Sequence, residues 1–235
     1  EAYAVGGCVR DSLLGYCPKD WDICTSATPE AIKELHSRTI DTGLKHGTVS
    51  VIESDGIYEV TTFRVDGEYS DNRRPDTVEF VTDLKTDLSR RDFTVNAMAY
   101  NDEAGVIDYY GGLSDLAERR IKCVGNACDR FDEDALRILR AIRFSSVYGF
   151  SIDHDTSEAI HDKAALLQNI ETLLSAIQQR KAVTFAYLHY ALRKQLVPKR
   201  QKPYHVYPYF MVMENDNVYL LCKSPSHPEH FAHYR

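Results

Sequence analysis

The sequence predicts an α+β protein built in three parts: a mixed sheet with helices, then a helical section, then a small β module. Three observations carry this. The first 25 residues run strand, glycine turn, helix, strand; from Asp87 onward apolar residues recur at helical spacing; after about residue 170 the texture changes to aromatic-rich β-type runs. The parts are expected at 1–122, 123–170 and 171–235, with a boundary near Ile170.

Each element has a local reason. AYAVGG is a short apolar strand running into glycine, CVRDSLLG is one or two helical turns ending at Gly15, and DWDIC is a second strand. GTVSVIES and IYEVTTFRV flank Asp55-Gly56, a turn pair between alternating runs, and read as a β-hairpin. EYSDNRRPDTVEF is polar, carries Pro75, and reads as a mobile loop leading into a further strand. DLSRRDFTVNAMAY, GLSDLAERRI, DEDALRILRAIRFSSVYGF and DHDTSEAIHDKAALLQ all read as helical, whereas VTFAYLHY, YHVYPYFMVM and NVYLLCKS read as strands.

Composition narrows the class. A chain of 235 residues with 43% hydrophobic content can bury one good core or two smaller ones. It has neither an apolar run of bilayer length nor the pattern of a signal peptide, so no membrane contact and a cytoplasmic setting are expected. The six cysteines form no CxxC pair and no zinc-type spacing, so neither disulfide nor zinc is expected. A net charge of −7 offers nucleic acid no bulk attraction, and RNA contact must come from local basic patches. The chain opens at Glu1 inside a strand pattern, as expected of a fragment or a processed piece.

Asp20 and Asp22 stand two apart, so on a strand they project together while Trp21 packs on the other side. Paired carboxylates repel unless a cation sits between them. Mg²⁺ meets that demand and usually brings substrate phosphates with it, which the backbone at Gly6 and Gly7 can approach closely. Taken alone, a surface DxD beside a structural glycine pair is the better account. Two later stretches change the balance. SRRDFTVNAMAY places Arg90, Arg91, Asp92 and Asn96 at the start of a helix as donors for phosphate and ribose. EDALRILRAIRF places Glu133 and Asp134 in a first helical turn, followed by Arg137, Arg140 and Arg143. Read alone, that second stretch is better explained as a solvated, salt-bridged helix face.

Together, GGxVRD with DxD, RRDFTxNAxA, GGLxDL and EDxxRxLRAxRF, in this order, resemble the class II tRNA nucleotidyltransferases, the CCA-adding enzymes and bacterial poly(A) polymerases. DTGLKHGTV and the DNRRPD loop fit the same family, and the resemblance covers residues 1 to about 170. It implies a polymerase-beta-like nucleotidyltransferase head with a helical neck, using Mg²⁺, CTP and ATP to extend a tRNA 3′ end. By the same resemblance, Asp20 and Asp22 would hold the catalytic metals. Gly6, Gly7 and Arg10 would cradle phosphates, with Asp11 bracing the turn. Arg91, Asp92 and Asn96 would contact ribose and phosphates. Asp134 and Arg137 would read the base edge, and Arg140 would lie near the phosphates. Glu59, on an alternating strand, is either a third acid or an ordinary surface residue.

Beyond AALLQNI the chain departs from that family. LLSAIQQRKAVTFAY, read as a helix, then YHVYPYFMV and NVYLL resemble a WYL domain, an Sm-like β module, with Val218, Tyr219 and Leu220 in place of the eponymous triplet. From Arg193 to Met213 there is no acid. Arg193, Lys194, Lys199, Arg200 and Lys202 stand among Tyr204, Tyr207, Tyr209 and Phe210, a mixture that suits single-stranded nucleic acid or, equally, a solvated basic loop. Three functions stay open: CCA addition to tRNA, poly(A) synthesis, and a non-enzymatic WYL-type nucleic-acid or ligand-binding regulator with a remnant head. The intact acidic and basic motifs favour the enzymes. Within the resembled family, CC-only members tend to lack the loop after the hairpin, so by that resemblance its presence here leans toward full CCA or A addition.

Overall fold

The computed structural model of the chain describes residues 1–67, 77–186, 188–190, 196–214 and 217–234. Contacts divide it into two compact units, 1–163 and 164–235. The first opens with β1 (Ala2–Val5), which turns at Gly6 into α1 (Gly7–Leu13). Gly6 lies at φ 79 and ψ −126, a conformation essentially closed to residues with a Cβ.

Next come β2 (Asp22–Thr25), α2 (Pro29–Leu35), β3 (Thr39–Gly43), β4 (Thr48–Ile52), β5 (Ile57–Thr62), β6 (Arg64–Asp66) and β7 (Val78–Phe80). They lead to α3 (Leu84–Ser89), β8 (Met98–Asn101) and β9 (Gly105–Asp108). Seven strands make one mixed sheet in the order β3-β4-β5-β2-β1-β8-β9, with β2 and β5 parallel. The hairpin around Asp55-Gly56 is β4 and β5. Thr28 caps α2 by accepting from the Ala31 amide, and α2 seats Ile32 on Val49 and Val51. A second cluster joins Val5, Cys24, Phe63, Leu84, Leu88, Ala97 and Ala99. Burying a side chain such as Phe63 or Leu88 stabilises the unit by about 1.5–3 kcal/mol.

The unit continues through α4 (Gly112–Ala117), β10 (Arg120–Ile121), α5 (Ala127–Glu133), α6 (Leu136–Tyr148), β11 (Ser151–Ile152) and α7 (His154–Lys163). The GGLSDL stretch has a packing reason. A Cβ on Gly112 would stand 2.4 Å from the Thr94 carbonyl oxygen, and buried Asp115 accepts from Thr94 Oγ1 at 2.6 Å and Arg120 Nε at 2.7 Å. The GGLSDL turn therefore holds the RRDFTVN segment against it.

The second unit contains α8 (Gln168–Gln178), β12 (Val183–Phe185), β13 (Leu188–Tyr190), β14 (Leu196–Pro198), β15 (Tyr204–Glu214), β16 (Asn217–Ser224) and β17 (His227–Tyr234). Its main sheet runs β12-β15-β16-β17, and Leu173 and Ile177 of α8 pack on the core of Val206, Leu220 and Cys222. Ile170 lies inside α8. All six cysteines are free, and no helix among the described residues is long and apolar enough to cross a membrane. The DNRRPD loop, Arg193 and Lys194 lie outside the described residues.

Four expectations are corrected. Strand β2 begins at Asp22, because its pairing with β5 starts there, so Asp20 lies in the preceding bend and Trp21 is exposed. Residues 90–101 are not a helix. After α3 the Thr94 amide bonds the Lys122 carbonyl, a short 3₁₀ turn spans Thr94–Asn96, and Met98–Asn101 join the sheet; strand pairing overrides local spacing. Glu133 ends α5, and Asp134 breaks the chain at φ −143 before accepting the Leu136 amide at 2.9 Å, so neither sits in a first helical turn. VTFAY reads both as the end of a helix and as a strand; the helix stops at Gln178 and Val183–Phe185 form the strand. Arg180 takes φ 53, Lys181 donates to the Ala176 carbonyl at 2.9 Å, and Val183–Phe185 pair with β15.

Candidate active site

Asp22 opens β2 directly opposite Glu59 on parallel β5, so the two side chains share one face of the sheet. Glu59 is shifted above the usual carboxylate range, first by partial loss of solvent and then by the negative charges of Asp22 and Asp20. Glu59 therefore stands in the field of the two aspartates. Register supplies this third carboxylate, 37 positions beyond Asp22 in the sequence.

Beside them the glycine turn leaves room for a cation. A Cβ on Gly6 would stand 2.8 Å from Nη1 of Arg91. Arg91 and Arg90 are organised by Asp87, which is fully buried, accepts from Arg90 Nε at 3.0 Å and Nη2 at 2.9 Å, and lies 3.6 Å from Arg91 Nη2. Arg10, only 6% exposed, donates to Asp11 from Nε at 2.8 Å and to Asn96 from Nη1 at 2.5 Å. Asn96 donates to Asp92 at 3.1 Å, and Arg140 Nε donates to the other Asp92 oxygen at 2.7 Å. A continuous chain of polar contacts thus runs from α1 through the RRDFTVN segment to α6. Burial alone would raise the pKa of Asp92, but Arg140, Asn96 and Arg137 hold it below the usual carboxylate range.

A cleft of about 700 Å³ is lined by Gly7, Cys8, Arg10, Asp11, Tyr16, Cys17, Lys19, Asp20, Asp22, Arg143, Val147 and Tyr148. It gathers the expected Gly7, Arg10, Asp20 and Asp22. Gly6, Arg91, Asp92, Asn96, Asp134, Arg137 and Arg140 are not among its lining residues. Arg137 is buried and donates to Glu133 at 2.5 Å and to the backbone carbonyls of Arg130 and Arg90, each at 3.1 Å. Asp134 and Arg137 both stand at the entry to α6.

Several functional candidates were given no role by the sequence reading. Arg143 continues the arginine spacing of α6 and lies with its Cζ 4.7 Å from the Phe144 ring centre, but only the fold brings it to the cleft. Lys19 flanks the aspartates as an extra cation in the wall. Asp87 stands three and four residues before Arg90 and Arg91, a local spacing that could have marked it, whereas Asp115 and Tyr148 meet Thr94, Arg10 and Asp11 from distant positions.

The description "Poly A polymerase head domain" matches residues 2–122, and "WYL domain" matches residues 168–235. A CCA-adding enzyme of Lactiplantibacillus plantarum is 50% identical over 181 residues, which are 77% of this chain and 44% of that protein. The crystal structure of Bacillus stearothermophilus CCA-adding enzyme in complex with CTP is 46% identical, with a TM-score of 0.67, over 77% of this chain and 43% of that one. Thermotoga maritima CCA-adding enzyme complexed with tRNA is 30% identical, with a TM-score of 0.56, over 72% of this chain and 39% of that one. The chain thus spans less than half the length of these proteins.

Proposed function

The chain belongs to the poly A polymerase head domain family, and on that premise we propose that it is a template-independent RNA nucleotidyltransferase adding CMP and AMP to the tRNA 3′ end. The observation that carries this is that Asp20 and Asp22 line one cleft with Arg10, Lys19 and Arg143, while Glu59 stands opposite Asp22 on the neighbouring strand. Acids and cations sharing one cleft suit a triphosphate and an attacking hydroxyl.

The donor set contains only oxygens, and the Glu59 pKa, raised first by burial and then by the charges of Asp22 and Asp20, marks a place where a hard cation is welcome; Mg²⁺ suits Asp20 and Asp22, with Glu59 paired opposite Asp22. Bound there, such an ion supplies charge neutralisation for the triphosphate and acidifies the attacking hydroxyl. The chain's own residues do the rest. Arg10, with Gly6 and Gly7, shapes the phosphate-facing wall, and Asp11 braces it. Arg91, Asp92 and Asn96 orient the ribose and phosphates, and Arg140 ties Asp92 to α6 near them. Asp134 and Arg137 offer an acceptor and a donor to the base edge, where an unmatched polar group is costly and so discriminates among nucleotides.

The C-terminal module supports a further contact with single-stranded nucleic acid. Residues 164–235 hold nine Lys and Arg against four Asp and Glu, and Tyr207, Tyr209, Phe210 and Phe231 are exposed. The deciding assay incubates the full chain with each labelled NTP and a tRNA lacking its 3′ end. CTP alone should add two residues and CTP with ATP should complete CCA. Long A runs would instead assign poly(A) synthesis, and no extension with any NTP would sink the enzymatic reading.

A further inference from the structure

Tyr148 belongs to none of the sequence motifs, yet it joins two elements at the cleft. It is the last residue of α6, and Gly149 at φ 66 ends the helix immediately after it. Its hydroxyl accepts from Arg10 Nη2 at 2.7 Å and donates to Asp11 Oδ1 at 2.9 Å. The Arg10 Cζ also lies 4.8 Å from the Tyr148 ring centre and 4.9 Å from that of Phe144, one turn earlier on α6. With Asp11 on Nε and Asn96 on Nη1, every nitrogen of the Arg10 guanidinium is held by the protein.

We propose that Tyr148 is a positioning residue for the nucleotide: it clamps Arg10 so that α1 and α6 present one preformed wall to a triphosphate in the cleft. This rests on the nucleotidyltransferase reading above. An arginine left to itself loses rotamer freedom when it meets a ligand, and that loss weakens binding. Tyr148 removes the loss in advance, since the hydroxyl fixes one guanidinium nitrogen and the ring supports the guanidinium plane. The role is distinct from packing, because packing needs the ring and the clamp needs the hydroxyl.

Tyr148→Phe separates the two in the full chain. It keeps the ring and drops both hydrogen bonds. The expected result is a KM for CTP and ATP raised by about tenfold, as for loss of a charge-assisted hydrogen bond, with kcat within about threefold and the KM for tRNA unchanged. Asp11→Asn, which weakens the hydroxyl's acceptor, should move KM the same way. Nitrogen-15 NMR of the Arg10 Nε–H in the nucleotide-free protein, with faster water exchange expected in Tyr148→Phe, reads the clamp directly. Thermal melting of each variant confirms that folded proteins are compared. Unchanged nucleotide KM in Tyr148→Phe, or a fall in kcat alone, would overturn the clamp while leaving the enzymatic reading intact. A wild-type chain that binds no nucleotide would overturn both.

Discussion

Asp92 keeps a charge where burial alone would neutralise it. Arg140 pairs with it at 2.6 Å, and the Asn96 amide and the Arg137 charge add to the effect. Its folded pKa therefore lies below the unfolded value of about 3.9, so this contribution to stability is fully present above about pH 4 and is lost as pH falls through the folded pKa. Asp92→Asn should cost about 3 kcal/mol at pH 7, because it leaves Arg140 facing a neutral partner, and the deficit should shrink toward pH 3. Urea unfolding at several pH values checks this; an equal deficit at pH 3 and pH 7 would count against an ionised Asp92. At the acids proposed to hold the metal, Asp22→Asn should lower transfer by at least ~10³-fold with the melting temperature held, and activity within tenfold of wild type would sink that assignment. Asp20 and Asp22 stood out in the sequence because only Trp21 separates them. Glu59 could not be ranked above a surface residue, because what makes it an acid of this site is the β2–β5 register.

Helix α6 shows how an element combines roles that spacing alone cannot separate. Steps of three among Arg137, Arg140 and Arg143 marked a helical face, and the face is real, but the three side chains go to different places. Arg137 turns to Glu133 and backbone carbonyls, Arg140 to Asp92, and Arg143 to the cleft. Arg137→Ala should relax discrimination against UTP and GTP, and it should also destabilise the unit, since the Arg90 and Arg130 carbonyls each lose a donor. Competition assays with all four NTPs, read beside thermal melts, test both parts; full selectivity in a destabilised protein would leave Arg137 as structural support only. The strand from Asp22 to Thr25, the hairpin and the β module were legible from apolar periodicity and turn residues, though the strand starts two residues later than the DxD spacing suggested. The RRDFTVN segment was not, because Thr94 and Met98 are held by Lys122, Asp115 and β9, none of which local spacing can see.

Across the whole molecule, charge is divided unevenly. Residues 164–235 carry a formal +5, which leaves −12 on residues 1–163, although the chain as a whole shows only −7. An acidic unit repels an RNA backbone at long range, and a basic one attracts it through counterion release, so any grip on RNA should reside mainly in the second unit. The cut that tests this must precede α8, whose Leu173 and Ile177 belong to the second unit's core; ending the chain at Ile170 would divide that helix. Removing residues 164–235 should leave NTP binding with Mg²⁺ unchanged, because every residue assigned to the nucleotide lies before Lys163. The full chain should bind tRNA weakly, with affinity falling steeply between low and physiological salt, and the shortened chain should bind it more weakly with a shallower salt slope. Fluorescence titrations of both chains at several salt concentrations read the two slopes. Equal RNA affinity after the cut would exclude the second unit as a grip, and tight binding by the shortened chain would show that the acidic unit holds RNA through local contacts strong enough to overcome its charge.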